Sequence, residues 1–117
     1  MLIDGGNHND RLVLANSLGI TAATLEGGAG NDAAVVTNLT ARRLSLNLGA
    51  QNDSAQAYSS LFDEFFANLG DHDDALTLYG NLVRGPTIVD GGAGAGDVFA
   101  DLGNTFGGGL RRTGFER

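Results

Sequence analysis

Four aspartates recur in one local setting through this chain of 117 residues. Asp10, Asp32, Asp53 and Asp74 each directly follow an Asn or Asp, and each stands four residues after a glycine: Gly6, Gly28, Gly49 and Gly70. Carboxylates beside glycine-rich turns suit a hard cation. Ca2+ takes about six to eight oxygens, more than one short turn supplies, so stacked turns would have to share the ion. The same residues also serve without metal, because Asx side chains accept hydrogen bonds from nearby backbone N–H groups and fix turns. Both readings stay open on the sequence alone.

Other chemistry is thinner. There is no cysteine, hence no disulfide, thiolate ligand or thiol nucleophile. His8 and His72 lie in separate acidic turns, too far apart to share a transition metal and with no nucleophile at hand. No constellation meets the geometry that catalysis demands, so a non-enzymatic protein is expected.

Oxygens held at a constant interval need a repeating scaffold. LIDGGNHNDRLVL from Leu2, TLEGGAGNDAAVV from Thr24, SLNLGAQNDSAQA from Ser45, FANLGDHDDALTL from Phe66 and IVDGGAGAGDVFA from Ile88 align on Gly6, Gly28, Gly49, Gly70 and Gly92, at spacings of 22, 21, 21 and 22 residues. That interval is too short for paired-helix repeats and lies in the range of strand-based solenoids.

The apolar residues agree. Two and four places after each turn aspartate come Leu12 and Leu14, Ala34 and Val36, Ala55 and Ala57, Leu76 and Leu78 and, counted from Gly96, Val98 and Ala100. Such alternation turns both residues of a pair to one face of a strand. Ile3, Leu25, Leu46, Ala67 and Val89 form a second inward column, and Leu18, Leu39, Leu61 and Leu82 are expected to form a third. Glycine pairs such as Gly27–Gly28 mark one corner, and Asn16, Asn38, Ser59 and Gly80 another.

The expected fold is therefore all-β, a right-handed parallel β-helix of about five coils with three short strands per coil, its hand following the general rule for parallel crossovers. Residues 1–103 form the repeat domain, and residues 104–117 a tail that packs on the last coil through Phe106, Leu110 or Phe115. The turn aspartates then stack about 4.8 Å apart along one exposed edge.

Gly27 to Val35 fits the nonapeptide glycine-glycine-x-glycine-x-aspartate-x-apolar-x. Here the chain resembles the RTX (hemolysin-type) calcium-binding repeats. The resemblance implies Ca2+ as the ligand, with Gly27, Gly28, Gly30 and Asp32 of the fullest copy as metal-site residues and Asp10, Asp53 and Asp74 joining from stacked turns. It also implies an extracellular or cell-surface protein. The other copies depart from the pattern: His8, Leu48, Gln51, Leu69 and His72 replace glycines, and Gly96 takes the aspartate place with Asp97 one residue later. The coil is also longer than the pair of nonapeptides that forms one coil in that family.

Seven basic residues, all arginine, against fourteen acidic ones give a net charge of -7. Such a chain repels nucleic acid and anionic membranes and attracts cations, which are its expected partners. No apolar run approaches the roughly 18 residues of a membrane span, and MLIDGGNHND lacks the basic-then-apolar order of a signal peptide. Arg42, Asp63 and Arg84 share one coil offset, with Arg43 beside Glu64, which reads as a surface charge ladder. The threonines form no outward row of the kind ice binding needs.

In YSSLFDEFF, residues 58–66, Phe62 and Phe66 are expected outward, with Leu61 and Phe65 inward. Together with Tyr58 and Tyr79 they offer a surface for self-association, and the solenoid ends offer another. The chain begins inside a repeat at Leu2, which reads as a segment of a longer repeat protein or as a small protein docking on its own copies. The expected function is a structural or adhesive surface module that takes up Ca2+. The alternative is a small carbohydrate-binding or carbohydrate-active β-helix with Arg42, Asp63 and Arg84 as its groove.

Overall fold

Short runs of alternating apolar residues bury one face only against other elements, and in a repeating chain the nearest equivalent strand is one repeat away. A computed structural model describes residues 1–115 and places each repeat over the one before. Its strands are β1 (Leu2–Gly6), β2 (Arg11–Ala29), β3 (Ala33–Ala50), β4 (Ser54–Tyr58), β5 (Leu61–Asn68), β6 (Ala75–Tyr79), β7 (Leu82–Val83), β8 (Thr87–Asp90), β9 (Val98–Leu102), β10 (Thr105–Phe106) and β11 (Leu110–Thr113). All of them pair in parallel. The fold is a β-solenoid of about five coils. Among the described residues there is no helix, and so none long and apolar enough to cross a membrane.

The tube has three sides. The first carries the leading segments of β2 and β3 followed by β4, β6 and β9. The second runs through the middle of β2 and β3 to the start of β5, then β7 and β10. The third joins β1, the ends of β2, β3 and β5, then β8 and β11. In the first two coils β2 and β3 run through their corners without a break.

The glycine column stands in line. Gly6 lies against Gly28 and Gly28 against Gly49. At Gly28 φ is 97°, and an added Cβ would lie 2.0 Å from the Gly6 carbonyl oxygen, so no other residue fits so close beneath the coil above. The corner at Asn16, Asn38, Ser59 and Gly80 is left-handed throughout, with φ between 51° and 66°.

Two inward columns match the sequence reading, and the third does not. Ser17 pairs Leu39 but Ile20 pairs Ala41, so the first coil carries an extra residue and Leu18 bulges outward, 82% exposed. Leu61 is half-buried and Leu82 exposed, while Leu39 is buried in a different column. The residues that enter the core on this side are Ile20, Ala41, Phe62, Val83 and Phe106. Phe62 therefore points inward, contrary to expectation, and its ring lies 5.5 Å from that of Phe65 inside the tube. The left-handed corner at Ser59 reorients the chain, so the alternation restarts beyond it with a new phase.

The fifth coil also differs. Ala75 pairs Val98, which puts Phe99, not Val98 or Ala100, into the core and Asp97 at the turn position. The tail continues the winding, with β10 on β7 and β11 on β8. Phe106, Leu110 and Phe115 pack against the core. The Arg112 guanidinium lies 5.1 Å from the Phe99 ring centre and 5.6 Å from that of Phe115, covering the last layer.

Candidate functional site

The turn aspartates point into the tube. Asp32, Asp53, Asp74 and Asp97 are at most 4% exposed, so the expected solvent-facing edge is an internal column. The Oδ1 of Asp32 accepts the Asp10 N–H at 2.8 Å, that of Asp53 accepts from Asp32 at 2.7 Å, that of Asp74 from Asp53 at 2.7 Å, and that of Asp97 from Asp74 at 2.8 Å. The preceding residue works in the opposite direction. The Oδ1 of Asn9 accepts the Asn31 N–H at 2.7 Å, Asn31 accepts from Asn52 and Asn52 from Asp73, both at 3.0 Å. The Asn31–Asp32, Asn52–Asp53 and Asp73–Asp74 pairs thus each clamp the coils on both sides, across the stack and not within their own turn. The aspartate bonds satisfy buried turn N–H groups that a strand ladder does not reach, while the asparagine bonds lie on the exposed side of the turn.

One oxygen of each carboxylate is left over. The Oδ2 atoms of Asp10, Asp32, Asp53 and Asp74 are shielded from water and accept no hydrogen bond. A buried anion without partners is costly, and it favours either a proton or a cation.

The neighbouring turn residue differs along the column. A Cβ at Gly27 would sit 2.5 Å from both Asp32 Oδ2 and the Leu48 carbonyl oxygen, and one at Gly5 would sit 2.7 Å from Asp10 Oδ2. Two oxygens, the Asp32 carboxylate Oδ2 and the Leu48 carbonyl of the next coil, therefore pack tightly against Gly27, where no side chain would fit. In the next two coils Leu48 and Leu69 hold the corresponding place, both completely buried.

Next to that packing Asp53 is pushed up to about 6. Burial is the main cause and the charge of Asp32 adds to it, while the N–H bond from Asp32 opposes. Burial likewise raises Asp74 to about 7, assisted by the charges of Asp53 and Asp97 and opposed by the Asp53 N–H and His72.

At the glycine-type turns of Asp10 and Asp32 the unpartnered carboxylate oxygens are of the kind a hard cation takes. Among the described residues no three His, Cys, Asp or Glu side chains converge to hold a metal, so backbone carbonyls would have to complete any shell. His8 and His72 are exposed in the turns.

Sequence reasoning missed two parts of this architecture. Asp97 completes the column because one extra turn residue makes its interval from Asp74 23, which a fixed offset cannot follow. At the second corner Leu39 N–H donates to Ser60 Oγ at 3.0 Å, Ser60 N–H to Asn81 Oδ1 at 3.0 Å and Asn81 N–H to Asn104 Oδ1 at 2.9 Å. The only hint in the sequence was a polar residue one place before each corner leucine or threonine.

On the second side Arg42, Asp63 and Arg84 line a groove of about 460 Å³ with Thr21, Thr40 and Leu61. Arg84 lies 3.6 Å from Asp63, and Arg43 pairs Glu64 at 2.9 Å on the adjoining surface. The aromatic segment is no continuous outer patch: Phe62 and Phe65 are core, and Phe66 lies half-buried under Arg43 at 5.4 Å. Compared with protein-family models, curated proteins and solved structures, the chain matches none.

Proposed function

We propose that this chain is a non-enzymatic module of an extracellular or cell-surface protein, a rigid spacer or adhesive segment whose turns take up Ca2+. The observation that carries the metal reading is Asp32 Oδ2, buried without a hydrogen bond and packed with the Leu48 carbonyl oxygen against Gly27. The RTX resemblance of the Gly27, Gly28, Gly30 and Asp32 turn supports it. Asp10 and Asp32 would hold the ion, which would neutralise the upper column and tie adjacent coils, while Asp53 and Asp74 beside Leu48 and Leu69 take protons. Thermal melting at mildly alkaline pH tests this. Millimolar Ca2+ should raise Tm and chelator lower it, since a ligand bound only to the folded state stabilises it; a Tm moved by neither removes the metal.

A second reading has its own support. The groove of Arg42, Asp63 and Arg84 offers cations, an anion and hydroxyls in one concavity suited to a saccharide. Oligosaccharide titration followed by NMR should shift signals around Arg42, and unchanged spectra remove this reading.

A further inference from the structure

In a protein of net charge -7 one side of the tube is almost free of charge. The outward residues of the first side stand in three columns. Val13, Val35, Gln56, Thr77 and Ala100 form the middle one. Ala15, Thr37, Tyr58, Tyr79 and Leu102 form one margin, and Arg11, Ala33, Ser54, Ala75 and Val98 the other, with Arg11 the single charge. Val13, Tyr79 and Leu102 are about half exposed, at 49%, 54% and 51%. Parallel strands read as near-continuous apolar runs when both of their faces are covered. RLVLA and AAVVT read that way, yet the chain's own core covers only one face.

We infer that the first side of the solenoid is a self-association surface on which a second copy of this chain packs face to face about a two-fold axis parallel to the tube. Charge favours this occupant, because a neutral face in an acidic molecule matches a neutral face and the same side of a second copy provides one. Shape favours it too. Such an axis sets one margin against the other, so Ala75 meets Tyr79 of the second copy, Ser54 meets Tyr58, and Arg11 meets Ala15 instead of another charge. Two sheets in this arrangement pack about 10 Å apart with their side chains interdigitated. Five strands of five residues span roughly 20 by 15 Å, less than an obligate dimer buries, so the association is weak and concentration-dependent. The net charge of each copy opposes it, and salt relieves that repulsion.

Sedimentation velocity from micromolar to millimolar protein is the test, and it is independent of the metal reading. A reversible monomer–dimer equilibrium is expected, shifted toward dimer by added NaCl. Thr77→Arg, in the middle column where each copy meets itself, should weaken it at least about tenfold through like-charge apposition. Asn47→Arg, outward on the third side, should leave it unchanged, with both variants melting close to the parent. A monomer up to millimolar concentration overturns the proposal, as does a dimer indifferent to Thr77→Arg or equally lost in Asn47→Arg. Monomer retained on an insoluble neutral polysaccharide through Thr77 would also overturn it, assigning the face to a glycan.

Discussion

The carboxylate of Asp53 accepts the backbone N–H of Asp32 in the coil before it at 2.7 Å, while its second oxygen is shut away from water with no partner. One atom of the side chain therefore holds the stack together, and the other carries an unsettled charge.

Stability should fall as pH rises. Asp53 and Asp74 titrate at about 6 and about 7 in the fold, against 3.8 when unperturbed, so the native chain binds more protons than the unfolded chain in between. The stabilising contribution is full below the unfolded value and is lost as pH climbs through the folded ones. Without added cation, Tm near pH 5 should exceed Tm near pH 8. Asp74→Asn, which keeps an acceptor for the Asp53 N–H, should flatten the profile.

The ladder can be separated from the charge at Asp32. Asp32→Ala leaves the Asp10 N–H without its acceptor and should cost about 1–3 kcal/mol in urea unfolding. Asp32→Asn retains an acceptor oxygen and should cost clearly less, while abolishing any Ca2+-dependent rise in Tm.

At Gly49 φ is 106° and an added Cβ would lie 2.1 Å from the Gly28 carbonyl oxygen. Gly49→Ala should destabilise by about 3 kcal/mol or more, because backbone must move to admit the methyl. Gly80→Asn should be tolerated, since φ there is 66°, nothing lies within 4 Å, and Asn16 and Asn38 already occupy the same corner. Equal losses at the two sites would contradict the stacked-turn geometry.

Phe62→Ala should cost about 3–5 kcal/mol, the range for emptying a core aromatic site. Phe66→Ala, which removes a half-buried ring under Arg43, should cost about 1 kcal/mol. Chemical denaturation of the two variants checks the phase of β5.

The coil count and the glycine column were legible because Gly6, Gly28, Gly49, Gly70 and Gly92 each meet the same backbone constraint at nearly equal spacing. The columns adjoining those turns were legible for the same reason, as Leu12 and Leu25 keep phase with the glycine. Phase was lost beyond the second corner, where the first coil takes an extra residue at Leu18 and the left-handed Ser59 resets the alternation. Hydrophobic pattern could not reveal Ser60, Asn81 and Asn104, since a ladder of buried polar side chains looks like loop until its partners are known. The aspartates were found, but their inward direction was not, because a turn residue's side chain follows from backbone geometry that composition does not encode.

Carbon-13 NMR of the aspartate carboxyl groups, titrated with pH and then with Ca2+, tests the account most directly. Asp53 and Asp74 are expected to titrate with midpoints near 6 and 7, and Ca2+ to shift the Asp10 and Asp32 signals while sparing those two. Midpoints for Asp53 and Asp74 near the ordinary 3.8, together with Asp10 and Asp32 signals indifferent to Ca2+, would contradict it.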